Sequence, residues 1–203
     1  MSWIESLSYI NCKKQLNKLG TEKVPFLFVI DFEVENFHII PFTQPGVLFS
    51  IDGFTNVHCS HQGQQPTIKK NPISLERYTL AFEFVIHEMK VGNAYMLNLT
   101  FPTQIETNIS LQEIFLSSKA PFKLYFQDKF VTFSPERFVK IENNIISTYP
   151  MKGTIDALVP NAKEQLLANE KEQAEHNMVV DLLRNDLSIV AKKVKIDKLR
   201  YVN

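Results

Sequence analysis

Short apolar runs separated by turn residues are the feature that most limits the folds open to this chain. Over residues 24–54 these runs are rich in Phe, Val and Ile, and Glu35-Asn36 and Pro45-Gly46 interrupt them. β-Branched and aromatic residues between turn signals are typical of strands. The pattern therefore predicts three or four antiparallel strands in this part of the chain.

Segments with helical spacing alternate with the strand-like runs. Apolar residues in 3–19 recur at near-helical intervals, and Gly20 stands where this first helix would end. Ser74 can cap a second helix that ends at Gly92. We expect its buried face to hold Leu75, Tyr78, Phe82, Val85 and Met89.

The second half of the chain continues this alternation. Ser110 and Glu113 form a capping box for a short helix over 111–117, and Asn161 can cap a long helix that runs to about Leu187. The polar stretch 58–72 is expected to be an exposed loop. Further strands are predicted over 94–101, 122–126, 130–133, 138–142 and 145–148. Together these elements indicate an α+β fold of mostly antiparallel sheets flanked by helices.

The composition disfavours several classes of function. Lys plus Arg and Asp plus Glu both total 22, so the chain lacks the basic excess that nucleic-acid binding requires. Its six glycines form neither a Walker A loop nor a dinucleotide fingerprint, which disfavours nucleotide-dependent chemistry. The longest apolar runs are far shorter than the ~20 residues of a membrane-spanning helix, and no secretory signal is recognisable. We expect a soluble, cytoplasmic protein.

Cysteine and histidine spacing gives no sign of a soft-metal site. Cys12 and Cys59 lie far apart and are interpreted as free thiols. His58 and His61 flank Cys59, but this pattern is too loose for zinc, and surface residues are the better interpretation.

Carboxylates and one lysine are concentrated in the last third of the chain. Glu172 and Glu175 lie three residues apart on the predicted long helix, so they share a face and suit either one divalent-cation site or a solvated acidic surface. The apolar residues after position 177 indicate that this helix enters the interior near Glu175, where a carboxylate needs a partner. Lys152 is either an exposed lysine or a nucleophilic amine beside a small glycine. Asn98 is either a hydrogen-bonded amide in the core or a residue that lines a pocket.

Four ordered segments resemble the chorismate-utilising enzymes, a family that includes anthranilate synthase component I, isochorismate and salicylate synthases, and aminodeoxychorismate synthase component I. They are residues 134–138 (SPERF), 150–154 (PMKGT), 170–176 (EKEQAEH) and 180–187 (VDLLRNDL), and residues 95–100 add a weaker fifth. The lysine at position 152 makes this segment similar to that of the aminodeoxychorismate synthases, because anthranilate and isochorismate synthases usually carry alanine at this position.

The resemblance implies amination of chorismate with ammonia to 4-amino-4-deoxychorismate, a step toward para-aminobenzoate and folate. Lys152 would attack chorismate at C2 and expel the C4 hydroxyl, which Glu136 would protonate as general acid. Ammonia would then add at C4 as the lysine departs. Gly153 and Thr154 would line the substrate pocket together with Asn98, which occupies the place of a water-activating lysine in isochorismate synthases.

The resemblance also implies a cofactor and a partner. Glu175 would bind Mg²⁺, which holds a substrate carboxylate, and Glu172 would act through a metal-bound water. A glutamine amidotransferase subunit would supply the ammonia. The alternatives are anthranilate synthase component I and a non-catalytic domain that binds only the amidotransferase or another subunit.

Family members continue beyond these segments with a second magnesium-binding glutamate, a glycine-rich segment, and an arginine and a tyrosine that grip substrate carboxylates. We therefore expect residues 1–203 to be an incomplete chorismate-binding enzyme domain that is weakly active or inactive alone. Residues 1–92 would form the N-terminal helix, strands and second helix, and 93–203 would begin the chorismate-binding core. An apolar face left uncovered would favour self-association.

Overall fold

The computed structural model describes residues 6–57 and 66–202 of the chain. Over those residues, five helices combine with antiparallel sheets, which confirms the α+β prediction. The helices are α1 (Tyr9–Glu22), α2 (Leu75–Lys90), α3 (Leu111–Ser117), α4 (Ala162–Ala168) and α5 (Glu170–Val190). The strands are β1 (Leu27–Ile30), β2 (Phe37–Ile40), β3 (Val47–Ile51), β4 (Phe54–Thr55), β5 (Ile68–Asn71), β6 (Gln104–Thr107), β7 (Phe122–Phe126), β8 (Phe130–Ser134), β9 (Lys140–Glu142) and β10 (Ile145–Ser147). In this described part, no helix is both long and apolar enough to cross a bilayer.

The first of two compact units holds most of the buried apolar side chains. It comprises Met1–Leu48, Asn56–Lys119 and Tyr125–Val131. It contains helices α1 to α3, the β1–β2 hairpin and the antiparallel pair of β5 with β6. Its buried apolar residues are Cys12, Phe37, Ile40, Val47, Ile109, Phe115, Tyr125 and Phe126.

The second unit carries the motif-bearing last third of the sequence. It comprises Phe49–Thr55, Ala120–Leu124 and Thr132–Asn203. The β9–β10 hairpin and helices α4 and α5 belong to it, and Phe49 is its fully buried aromatic residue. The chain also forms a four-stranded sheet in the order β4-β3-β7-β8.

Helix α1 begins and ends later than the sequence predicted. The Ser8 side chain accepts the backbone N–H of Asn11 and caps the helix. Gly20 lies inside α1, so the prediction that it ends the helix is wrong. Lys23 instead takes the left-handed conformation, with φ 55°, and its N–H donates to the carbonyls of Leu19 and Gly20. Cys12 on this helix is a free thiol, as predicted, and it is buried. Cys59, His58 and His61 lie outside the described residues.

Helix α2 has the predicted ends but not the predicted burial. Ser74 caps it by accepting the N–H of Arg77, and Gly92 follows it with φ 85°. No residue of α2 is buried, and Leu75 is 79% exposed. Tyr78 stacks on Phe82 within the helix and meets Phe101 edge-on. Helical periodicity identifies the residues that share a face, but it does not say what covers that face.

Two predictions about strands before α3 were wrong. Residues 68–71, expected to be loop, form β5 because they pair with β6, and Lys69 makes a 3.1 Å ion pair with Glu106 across the pair. Residues 94–101, expected to be a strand, contain none, and the next strand begins at Gln104. The polar residues of β5 lack apolar alternation, so their pairing is visible only in the folded chain.

The predicted long helix after Asn161 is in fact two helices. Asn169 leaves the helical conformation, with φ −69° and ψ 110°, and its side chain accepts the N–H of Glu172 at 3.1 Å, which caps α5. Asn161 makes no side-chain capping bond to α4. No residue of α5 is buried, and Leu182 is 53% exposed. The expectation that α5 enters the interior near Glu175 is therefore wrong.

Elements with strong local signals formed as expected. The Ser110–Glu113 capping box closes in both directions at the start of α3. Strands β7 and β8 match their predictions to within one residue, and the β9–β10 hairpin turns at Asn143-Asn144. Both asparagines have positive φ, 51° and 60°, as a tight hairpin turn requires.

The position of the hydrophobic core can be tested with two phenylalanines that differ in burial. Phe115 on α3 is 0% exposed and Phe32 in the β1–β2 loop is 95% exposed. Phe115→Ala should lower the free energy of unfolding by about 3–5 kcal/mol, because it leaves a cavity. Phe32→Ala should change it by less than about 0.5 kcal/mol. Urea denaturation of both variants checks this, and equal midpoints would contradict the placement of the core.

Candidate functional site

A cleft of ≈ 860 Å³ lies within the second unit. Small-molecule sites commonly measure roughly 300–1,000 Å³, so the cleft is large enough for an organic substrate. Its lining includes five residues that the sequence singled out: Glu136, Lys152, Gly153, Thr154 and Glu172. Segments from three parts of the second unit thus converge on one site.

Glu136 is held in a hydrogen-bonded turn directly after β8. The Ser134 hydroxyl donates to the Glu136 carbonyl at 2.7 Å and accepts the Glu136 N–H at 3.1 Å. Pro135 lies between them and cannot donate a backbone hydrogen bond. A short serine turn with a proline at its centre therefore fixes the backbone that carries the half-buried Glu136 at the cleft wall.

Arg137 anchors the same turn through its side chain. Its guanidinium donates to the carboxylate of Asp52, in the turn between β3 and β4. It also lies over the rings of Tyr149 and Phe122, at 5.1 and 5.8 Å from their centroids. Charge pairing and two cation–π contacts together hold Arg137 in one place.

The backbone at Gly153 makes a close approach to the two following helices. A Cβ added at Gly153 would lie 2.9 Å from Glu172 Oε2 and 3.0 Å from Leu166 Cδ1. Gly153 also has φ 77°, a conformation that residues with a side chain rarely adopt. Only glycine meets both conditions without strain, so this position fixes where the neighbouring residues Lys152 and Thr154 enter the cleft.

Lys152 reaches the cleft as an unpaired amine. Its side chain is exposed, and no hydrogen bond or ion pair involves it within residues 6–57 and 66–202. Lys163 on α4 also lines the cleft. The site therefore offers an amine that is not held by a neighbouring carboxylate.

The two glutamates predicted to bind metal have different surroundings. Glu172 lies in the first turn of α5, where the helix dipole favours a carboxylate, and it lines the cleft. Glu175 does not line the cleft, and its carboxylate lies 3.6 Å from the Lys171 ammonium. Across the described ranges, no group of three or more His, Cys, Asp or Glu side chains could hold a metal ion.

Asn98 is the predicted substrate residue that lies in the first unit. It is exposed and follows α2 in a segment without regular structure. Its prediction as a substrate residue came from the family resemblance, and the strand that was expected to carry it is absent from the structure.

Several cleft residues had no signal in the sequence. Asp52 lies 85 residues before its partner Arg137, and nothing local connects the two. Arg200 lines the cleft near Gln173 and donates to its side-chain oxygen. Gln173 lies within one of the recognised motifs, but its contact with Arg200 depends on the tertiary fold alone.

Relatives of the chain were found among curated proteins. An uncharacterized PabA-like protein of Haemophilus influenzae is 48% identical over 193 residues, which cover 94% of this chain and 59% of the relative. A similarly described protein of Pasteurella multocida is 47% identical over 196 residues, covering 93% and 60%. Aminodeoxychorismate synthase component 1 of Escherichia coli is 32% identical over 142 residues, covering 63% of this chain and 31% of the relative.

The chain spans about 59–60% of the length of the first two of these relatives. No solved structure matches it. The model of the chorismate binding enzyme family matches residues 47–203, which include every segment that builds the cleft. The chain belongs to the chorismate binding enzyme family.

Proposed function

We propose that the protein aminates chorismate with ammonia to 4-amino-4-deoxychorismate through a covalent intermediate on Lys152. The observation that carries this proposal is the presence of Lys152 and Glu136 on one cleft of a chorismate binding enzyme. Similarity to the aminodeoxychorismate synthase component 1 of Escherichia coli supports the same reaction. The ammonia would come from a glutamine amidotransferase partner.

The first step depends on a free amine. Only an uncharged amine can act as a nucleophile, and Lys152 makes no ion pair with a carboxylate in the described part of the chain. Its nitrogen would form a bond to C2 of chorismate while both conjugated ring double bonds shift, from C1=C2 to C1=C6 and from C5=C6 to C4=C5, and the bond from C4 to its hydroxyl breaks. Glu136 would donate the proton with which this hydroxyl leaves as water.

The second step reverses the bond changes of the first, with ammonia in place of the hydroxyl at C4. Ammonia forms a bond to C4, both ring double bonds shift back, and the bond between C2 and the lysine nitrogen breaks. The amine keeps that electron pair, so Lys152 is regenerated, and the proton lost by ammonia can return to Glu136. The anchored turn around Glu136 suits this double use, because the carboxyl group must serve both steps from one position.

Mg²⁺ fits the chemistry of the acidic residues on α5. This ion prefers oxygen ligands, keeps several waters, and is commonly held by one or two carboxylates together with substrate oxygens. Glu172 and Glu175 lie three positions apart on one helix and offer two such carboxylates. Bound there, the ion would supply positive charge for a substrate carboxylate, while Glu175 would exchange its present contact with Lys171 for the ion.

A chemical prediction follows for Lys152. Incubation of the chain with chorismate and Mg²⁺, without ammonia, should leave an adduct on Lys152 with the mass of chorismate less one water. Peptide mass spectrometry locates it, and added ammonium should release it. Lys152→Ala should abolish the adduct.

Lys163→Ala is the matched control, because Lys163 is a second lysine at the same cleft. Its adduct yield should equal that of the unaltered chain. An adduct that persists in Lys152→Ala, or anthranilate as the product with ammonium, would show that the proposed reaction is wrong.

A second prediction concerns the glycine beside the lysine. Gly153→Ala should lower the Lys152 adduct rate at least about tenfold, because the new Cβ must displace Glu172 or Leu166 and the backbone has a positive φ. Gly20→Ala has open space around its new Cβ and should leave the rate unchanged. An unchanged rate in Gly153→Ala would show that the close approach does not position Lys152.

The third prediction separates a metal site from a general acidic surface. With chorismate present, Glu175→Gln and Glu172→Gln should each weaken Mg²⁺ binding at least about tenfold, since each removes a carboxylate from the site. Glu170→Gln, on the first turn of the same helix, should have little effect. Calorimetric titration with Mg²⁺ measures this, and equal weakening by all three substitutions would contradict a specific site.

A further inference from the structure

Strand β1 has an open hydrogen-bonding edge. It pairs with β2 in a two-stranded antiparallel sheet, and none of the other strands in the described ranges adjoins it. The far edge of β2 differs, because the N–H of Leu7 donates to the Phe37 carbonyl at 2.8 Å and the Ser6 hydroxyl accepts the Phe37 N–H at 3.0 Å. The free edge of the hairpin is therefore on β1.

The side chains along this edge are apolar and exposed. Phe28 and Ile30 point to the same side of β1 and are 54% and 39% exposed. Val24 before the strand is 44% exposed, and Phe32 after it is also exposed. Edge strands usually carry a charged residue, a proline or a bulge that prevents pairing with another chain. Strand β1, with the sequence LFVI, has no charged residue and no proline.

The exposed area is sufficient for a weak dimer. Covering the side chains of Val24, Phe28, Ile30 and Phe32 would bury roughly 500 Å² on each of two chains, or about 1,000 Å² in total. This total is near the lower limit for a specific protein interface. A reversible dimer is therefore expected rather than a permanent one.

The charges at the two ends of β1 favour pairing of this strand with its own copy. Lys23 precedes the strand, and the carboxylates of Asp31, Glu33 and Glu35 follow it. In an antiparallel pair the start of each strand lies opposite the end of the other, so the lysine of one copy approaches the carboxylates of the second. A parallel pair would bring like charges together.

We propose that the β1 edge joins two copies of this chain in an antiparallel β1–β1 pair. The pair forms a four-stranded sheet in the order β2-β1-β1-β2, with the two-fold axis at Phe28 and the same surface used by both copies. The hairpin gains stability, because an isolated two-stranded sheet is only marginally stable in water. This interface is independent of the proposed function, since β1 belongs to the first unit and the cleft to the second.

The test measures the mass of the chain by sedimentation equilibrium over a range of concentrations. We expect a monomer–dimer equilibrium with a micromolar dissociation constant. Phe28→Lys places like charges opposite each other on the paired edge and should weaken the dimer at least about 30-fold. Phe84→Lys is the matched control, because Phe84 is 65% exposed but lies on α2, and it should leave the dissociation constant unchanged. Circular dichroism checks that each variant is folded.

Charge reversal tests the antiparallel orientation. Lys23→Glu should weaken the dimer about 3-fold to 30-fold, because two symmetry-related attractions become repulsions. Combining Lys23→Glu with Glu33→Lys should restore most of the affinity. A loss of folding would not be repaired in this way, so restoration identifies a contact between the two ends of β1.

Hydrogen exchange reports on the edge without any substitution. The peptide covering residues 24–32 should exchange more slowly above the dissociation constant than below it, because β1 amides become paired. The α2 peptide, residues 75–90, should exchange equally under both conditions. A monomer at every concentration, dissociation by Phe84→Lys, or concentration-dependent protection of α2 in place of β1 would each overturn the proposal.

Discussion

The ion pair between Arg137 and Asp52 ties together all three chain segments of the second unit. Asp52 comes from the first segment, and its N–H donates to the carbonyl of Pro121 in the second segment at 2.9 Å. Arg137 comes from the third segment and also lies over the ring of Phe122 in the second. Phe49 is the fully buried aromatic residue of this unit, and the polar and cation–π contacts of Arg137 add to its packing. The turn that carries Glu136 is therefore held by charge pairing as well as by packing.

The charges of the cleft fall into paired and unpaired groups, and the distinction matters for function. Arg137 is compensated by Asp52, so it serves the architecture of the site. Lys152 and Arg200 have no carboxylate partner among the described residues, so both remain available to a ligand. Two unpaired cations in one cleft complement a ligand that carries negative charge. The structure thus separates the cations that hold the cleft from those that can act within it.

Local chemistry made much of the fold predictable. The Ser110–Glu113 capping box and the Asn143-Asn144 turn each depend on neighbours within a few residues, and both formed as the sequence indicated. The burial of α2 was not predictable, because Leu75 and its neighbours show which face is apolar but not whether another element covers it. The recognised motifs identified Glu136, Lys152 and Glu172 as residues of one site, and all three line the cleft. Asp52 and Arg200 were missed because their contacts join distant parts of the chain.

The break at Asn169 has a geometric consequence for the position of Lys152. In a continuous helix, Leu166 and Glu172 would be separated by about 9 Å along the axis and about 240° around it, and their side chains would point in different directions. The corner between α4 and α5 instead lets both side chains converge on the backbone of Gly153. The inside of this corner accommodates a residue without a side chain and nothing larger. Asn169, which ends α4 and caps α5, therefore sets the distance between the segment that carries Lys152 and helix α5.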